Sequence, residues 1–215
     1  MLAENSFRTT SKIEDLWMPY LEGYFLERFG IHFFVVGPGT TPGHRALQEI
    51  CDVIAWDMLG TRLIEVKFDE YESGNLFAET WSNRTKGNRG WFYKCLATEL
   101  VYAFPLMRVA YVGELKKIRA CVMEHINDFP EVEQKQYRQL NDAWGRLVPA
   151  QWLERKGVAV RHNLEKHIPA EVVQARKTEK AVQRFAGRKE AKTAPTHYRG
   201  ADLDGRRVIV SASSS

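Results

Sequence analysis

Two apolar runs, Ile50 to Trp56 and Arg62 to Phe68, flank the tetrapeptide Asp57-Met58-Leu59-Gly60, and this arrangement constrains the fold more than any other stretch of the chain. The runs are rich in β-branched and aromatic residues, and the Asp and Gly between them suit a tight reversal, so the two predict an antiparallel hairpin. Strand side chains alternate with period two. Glu65 and Lys67 therefore share one face, while Ile64 and Val66 turn to an opposite, apolar one.

The flanks extend this hairpin into an α/β pattern. Apolar residues at 17, 20, 21, 24, 25 and 29 follow helical spacing, which predicts a helix over 11–29 with Ser11 as its cap, Gly30 as its stop and a kink at Pro19. Residues 31–36 read as a strand followed by a flexible loop to Gly43. After the hairpin come a strand over 75–81, a basic loop over 82–90 and a short helix within 91–99. Strands over 100–104 and 108–112 and a helix over 114–126 follow, then helical character over 132–144 and a closing segment over 146–153. The expectation is one α/β domain over residues 10–170, with a mixed central sheet flanked by helices.

Composition bears on the rest of the chain. A hydrophobic fraction of 44% over 215 residues is enough to bury one core and too little sequence for two comfortable domains. Residues 1–170 carry 21 Lys or Arg against 22 Asp or Glu, whereas residues 171–215 carry 10 against 5. The basic excess thus belongs to a C-terminal extension, 171–215, whose few large apolar residues predict no independent core and whose charge suits a polyanion. No apolar run approaches the roughly 20 residues of a membrane span, and the N-terminal residues lack a secretory pattern, so a cytoplasmic protein is expected. Cys51, Cys95 and Cys121 have neither zinc-site spacing nor an even count, and are read as reduced thiols.

The chemistry concentrates on the hairpin. Asp52 and Glu65 stand 13 positions apart on neighbouring strands, where two carboxylates can converge on one hard cation such as Mg²⁺, with Lys67 beside it. The ammonium would orient a water or stabilise charge developing on a phosphate. An ordinary solvated face carrying Asp, Glu and Lys is the other reading of the same residues. Downstream, Arg84, Lys86, Arg89 and Lys94 fall in a stretch, 80–98, that contains no acid and so suits a phosphate-binding rim. Trp81 and Trp91 in the same stretch can stack on an unpaired base or belong to the core.

The order helix, strand, hairpin with Asp52 and Glu65-Val66-Lys67, then helix and strand resembles the PD-(D/E)xK nuclease superfamily. Glu65-Val66-Lys67-Phe68-Asp69, Gly74-Asn75-Leu76-Phe77-Ala78-Glu79 and Gly90-Trp91-Phe92-Tyr93-Lys94 are similar to the pattern of phage-encoded members. The likeness covers residues 12–115 and departs from the family pattern where Cys51 replaces its leading Pro. It implies a restriction-endonuclease-like core and Mg²⁺-dependent hydrolysis of DNA phosphodiester bonds, with Mn²⁺ as a substitute. Asp52 and Glu65 would be metal ligands, and Lys67, Glu14 and Glu79 would complete the catalytic set. Glu14 is selected by phase, because it shares a helical stripe with Trp17, Leu21 and Phe25, although a first-turn acid is also favoured by the helix dipole. Glu79 shares strand parity with Asn75 and Phe77. DNA is the implied partner, a homodimer is compatible, and the host cytoplasm is the implied location for a phage-encoded protein. The rival expectation is a non-catalytic nucleic-acid- or protein-binding module on the same fold, such as a phage counter-defence factor.

Overall fold

The structure, a computed structural model, describes residues 4–36, 42–134, 142–193, 199–201 and 207–209. The chain divides into two compact units, Met1–Val173 and Gln174–Ser215.

The first unit opens with helix α1 (Glu4–Phe29), which stays helical through Pro19. It starts well before Ser11, so Ser11 lies inside the helix and is not its cap. Trp17, Leu21, Tyr24, Phe25 and Phe29 are buried, at spacings that put one aromatic stripe against the sheet. Gly30, at φ +63°, ends the helix in the left-handed conformation that glycine adopts without steric cost.

Strands β1 (Phe33–Val35), β2 (Val53–Asp57) and β3 (Gly60–Phe68) follow, with a short helix α2 (Pro42–Gln48) in the connection, beginning at the end of the loop expected to Gly43. Residues 37–41 of that loop lie outside those described. β2 and β3 pair antiparallel with Val53 opposite Ile64 and Asp57 opposite Gly60, and Asp57 Oδ1 accepts the Leu59 N–H at 2.7 Å to close the turn. The expected hairpin is present.

Between β3 and the next central strand lie β4 (Asn75–Asn83), β5 (Asn88–Arg89) and the single turn α3 (Trp91–Lys94), after which come β6 (Glu99–Phe104) and β7 (Val109–Glu114). β3 and β6 are parallel, so this whole stretch is their crossover. Helix α4 (Leu115–Glu124), β8 (Glu131–Glu133), β9 (Trp144–Pro149), α5 (Ala150–Arg155) and β10 (Val160–Asn163) complete the unit. The central sheet has six strands in the order β1-β2-β3-β6-β7-β10 and is mixed, as expected.

A second sheet, β5-β4-β9-β8, is the main departure from the sequence reading. Helical character was expected over 132–144. Instead Glu131–Glu133 is a strand paired with Trp144–Arg146, and residues 135–141 lie outside those described. The cause is non-local pairing: β9 offers its edge to both β4 and β8, and its Gly145 is so close to the Phe77 ring that a Cβ would come within 2.6 Å. One core fills the space between the two sheets and the helices α3 to α5, and another lies under α1.

Helix α6 (Ala170–Thr193) begins at the end of the first unit. The second unit carries the rest of that helix and a paired β11 (Arg199–Ala201) and β12 (Arg207–Ile209). Its Ala-, Lys- and Arg-rich sequence is poor in core residues but favours helix locally. Among the described residues, no helix is long and apolar enough to cross a membrane.

Candidate active site

The register of the hairpin sets the site. With Val53 opposite Ile64, the preceding Asp52 faces Glu65, and the backbone fixes it there: Asp52 N donates to Ile64 O at 2.9 Å. Asp52 Oδ2 in turn accepts the Val66 N–H at 2.7 Å. Glu65 is buried, and Lys67 Nζ lies 2.5 Å from its Oε1. Ile64 and Val66 point the other way, fully buried in the core under α1, so the period-two separation of charge from core holds.

Two further acids reach this cluster from other elements. Trp17 Nε1 donates to the buried Glu70 at 2.8 Å, just past the end of β3, which fixes the helix so that Glu14, one turn earlier, faces the charges of Lys67, Glu65 and Asp52. Glu79 arrives on β4 through a different link. The buried Tyr102 hydroxyl accepts the Phe77 N–H at 3.0 Å and donates to Asp69 at 3.3 Å, tying the second sheet to the end of β3. Two residues along β4, Glu79 accepts the Trp91 N–H at 3.2 Å and feels the charge of Lys67.

The α3 turn is the third wall. The Trp91 ring centre lies 5.9 Å from Lys67 Nζ. Four residues do not make a self-sustaining helix, and Arg119 on α4 holds this one, donating to Phe92 O at 2.6 Å and Cys95 O at 2.9 Å. Gly90, just before the turn, packs directly on Glu79: a Cβ there would lie 2.2 Å from Glu79 O and 2.8 Å from its Cγ. Because the first of these is a backbone atom, Gly90→Ala must displace the strand that carries Glu79. Overpacking of this kind costs about 2 kcal/mol, so thermal unfolding of the variant is expected at clearly lower temperature than wild type. An unchanged midpoint would show that the close approach does not exist in solution.

The crowding of acids has electrostatic consequences. Burial is the largest influence on Asp52, and with Glu65 and Glu14 nearby it pushes the carboxyl up to about 7 despite the opposing Lys67 charge and Val66 N–H. Burial likewise raises Glu14 and Glu79 above their ordinary values, opposed in both by Lys67. Burial favours the neutral amine of Lys67, but Glu65, Asp52 and Glu14 outweigh it and hold the ammonium above its usual range. Burial, with Asp52 and Glu65 near Cys51 and Glu65 near Cys95, pushes their thiols up to about 11 and about 12. Both remain protonated and neither is a nucleophile.

Asp52, Glu65, Lys67, Glu14 and Glu79, chosen from three separate sequence segments, thus fall within one electrostatic neighbourhood. Lys94 is exposed and acts on Glu79, so it borders the cluster. Arg89 is exposed on β5, with its guanidinium 4.6 Å from the Trp81 ring centre and 5.0 Å from that of Tyr93. Arg84 and Lys86 sit further out on the β4–β5 connection, and Arg84 is partly committed, bonding Glu131 at 3.3 Å and lying 4.8 Å over the Trp144 ring. A cleft of 380 Å³ at the opposite end of β3 contains Asp57, Arg62 and Glu99 and none of these residues. Sequence reading missed the supporting contacts of Tyr102, Trp17, Gly90 and Arg119. Only the Gly90-Trp91 pair carried a local signal, a small residue beside a large one at the end of the basic stretch.

Among the described residues no three His, Cys, Asp or Glu side chains form a ready-made metal-ligand group. The donors that do converge, Asp52 and Glu65, are oxygen ligands, which suits Mg²⁺ or Mn²⁺ and not a closed thiolate or imidazole site for zinc. Mg²⁺ is commonly held by one or two carboxylates with its remaining positions taken by water. Burial, with smaller contributions from Glu65 and Glu14, raises the Asp52 carboxyl, and a divalent cation beside it would favour the ionised form. Comparison of the chain with protein-family models, curated proteins and solved structures finds no match.

Proposed function

We propose that the chain is a Mg²⁺-dependent nuclease that hydrolyses DNA phosphodiester bonds, with Asp52 and Glu65 as metal ligands and Lys67 as the charge-stabilising residue. The observation that carries this reading is the hairpin register that sets Asp52 opposite Glu65, with Lys67 paired to Glu65 and its charge acting on Asp52, Glu14 and Glu79 from the neighbouring elements. A purely structural ion pair needs one acid for one base. Four partly or fully buried acids around one ammonium are expensive to keep unless function requires them.

Bound between Asp52 and Glu65, Mg²⁺ would supply Lewis-acid polarisation of a phosphate and lower the pKa of water. The chain's own residues do the rest. The Val66 N–H and the hairpin backbone hold Asp52 in one orientation, and Lys67 orients the attacking water or stabilises charge on the phosphorus oxygens. Glu14 and Glu79, with raised affinity for protons, are suited to receive one during the reaction. Arg89 and Lys94, with Lys86 further out, would hold the phosphate backbone without reading its sequence.

The rival reading is a non-catalytic binding module. It is favoured by one observation, the direct 2.5 Å pair between Lys67 and Glu65, which satisfies both groups without a metal. Incubation with Mg²⁺ and a panel of linear, circular, single-stranded and branched DNAs separates the two. Metal-dependent products that EDTA abolishes support the nuclease, and binding without products on every substrate supports the module.

A further inference from the structure

Glu79 does not stand alone on its strand. Asn75, Phe77, Glu79 and Trp81 share a partly exposed face of β4, while Leu76 and Ala78 are buried behind it. Thr80 is bulged in the pairing with β9. Trp81 is directly opposite Arg89 across the β4–β5 ladder, and Arg89 also lies over Tyr93 on α3. A cation between two partly exposed rings is therefore built onto the strand and turn that deliver Glu79 and Trp91 to the acidic cluster. Two residues of extended strand separate Trp81 from Glu79, roughly 7 Å along the backbone.

We infer that Trp81, Arg89 and Tyr93 form a stacking platform for an unpaired base, so that the substrate class is nucleic acid with a single-stranded nucleotide next to the scissile phosphate. The inference rests on the nuclease reading for the position of the cut and not for the binding itself. Planar rings accept any base, because every base has a π-face. An exposed cation–ring contact is weak, and a base stacked on the same ring gains more. A base can therefore displace the guanidinium from the Trp81 ring, leaving Arg89 to pair with the adjoining phosphate. A base inside an intact duplex is already stacked on its neighbours and cannot make this exchange. The platform selects unpaired nucleotides, whereas Lys94, next to Tyr93 in the chain, and Lys86 further out would attract any phosphate backbone.

The test is binding to the full chain in EDTA, where no metal-dependent cutting takes place, using a fluorescent twelve-nucleotide oligo(dT) strand, the same length of oligo(U), and the oligo(dT)·oligo(dA) duplex. Trp81→Leu and Tyr93→Leu are each expected to weaken single-strand binding about tenfold or more, the scale of one lost base stack, and to leave duplex binding within about twofold. Trp81→Phe keeps a ring and should retain most of the wild-type affinity, which guards against a leucine variant that simply folds poorly. Equal binding of oligo(dT) and oligo(U) is expected because stacking does not read the sugar. Equal losses on single strand and duplex, or no loss on either, would overturn the platform. Lys67→Ala provides the independent control on the parent reading. If it cleaves the DNA panel with Mg²⁺ at the wild-type rate the nuclease assignment fails, while the platform stands or falls on the EDTA binding of the ring variants alone.

Discussion

Lys67→Ala is expected to lower DNA cleavage by about a hundredfold or more while leaving Mg²⁺ binding intact or tighter. The two effects part because the ammonium and the metal ask for the same oxygens. Lys67 Nζ is 2.5 Å from Glu65 Oε1, so removing it frees a carboxylate for the cation and also deletes the charge that would stabilise the phosphate. Asp52→Asn and Glu65→Gln are expected to behave differently. Each keeps size and removes negative charge, so cleavage and Mg²⁺ affinity should fall together. Calorimetry of Mg²⁺ binding beside a cleavage time course reads both quantities on the same preparations. Wild-type cleavage by Lys67→Ala, or undiminished Mg²⁺ binding by Asp52→Asn, would remove the hairpin from the active site and leave the binding-module reading.

The parts of this site that were legible in the sequence are those set by local periodicity. Glu65 and Lys67 share a face because strand side chains alternate, and Asp57-Met58-Leu59-Gly60 fixes the register that brings Asp52 opposite Glu65. Glu14 followed from helical phase, since Trp17 lies three residues on and is buried. What stayed hidden depends on partners distant in the chain. The 132–144 region has helical-looking spacing, yet Val132 pairs with Gly145 in a sheet whose other members include β4, about 55 residues earlier. Nothing local announces that the Tyr102 hydroxyl will accept from Phe77 N, or that Trp17 will donate to Glu70 across 53 positions. Those contacts decide whether Glu79 and Glu14 reach Lys67, so the sequence could nominate these acids but not assemble them.

The crowded acids also predict how stability depends on pH without metal. Asp52 titrates near 3.8 in an unfolded chain and is pushed up to about 7 in the fold, so the folded state binds its proton more tightly. Its contribution to stability is fully present below about pH 4 and is lost as pH rises to about 7. Asp52→Asn cannot ionise, and its side-chain oxygen can still accept the Val66 N–H, so the variant escapes this loss. The gap between variant and wild type should therefore be small below pH 4 and grow to about 2–4 kcal/mol in favour of the variant above pH 7. Taking the difference cancels most contributions from acids away from the site such as Asp57 and Asp142, whose lowered values slope the opposite way. Denaturant unfolding in EDTA at a series of pH values measures the gap. Mg²⁺ added above pH 7 should then close it, because a ligand that binds only the folded wild type stabilises it and leaves the variant where it was. A gap that does not change with pH would mean that Asp52 is not a buried acid held against its neighbours. A gap that opens with pH but ignores Mg²⁺ would keep the electrostatic cluster and deny it the metal, which is the outcome the binding-module reading requires.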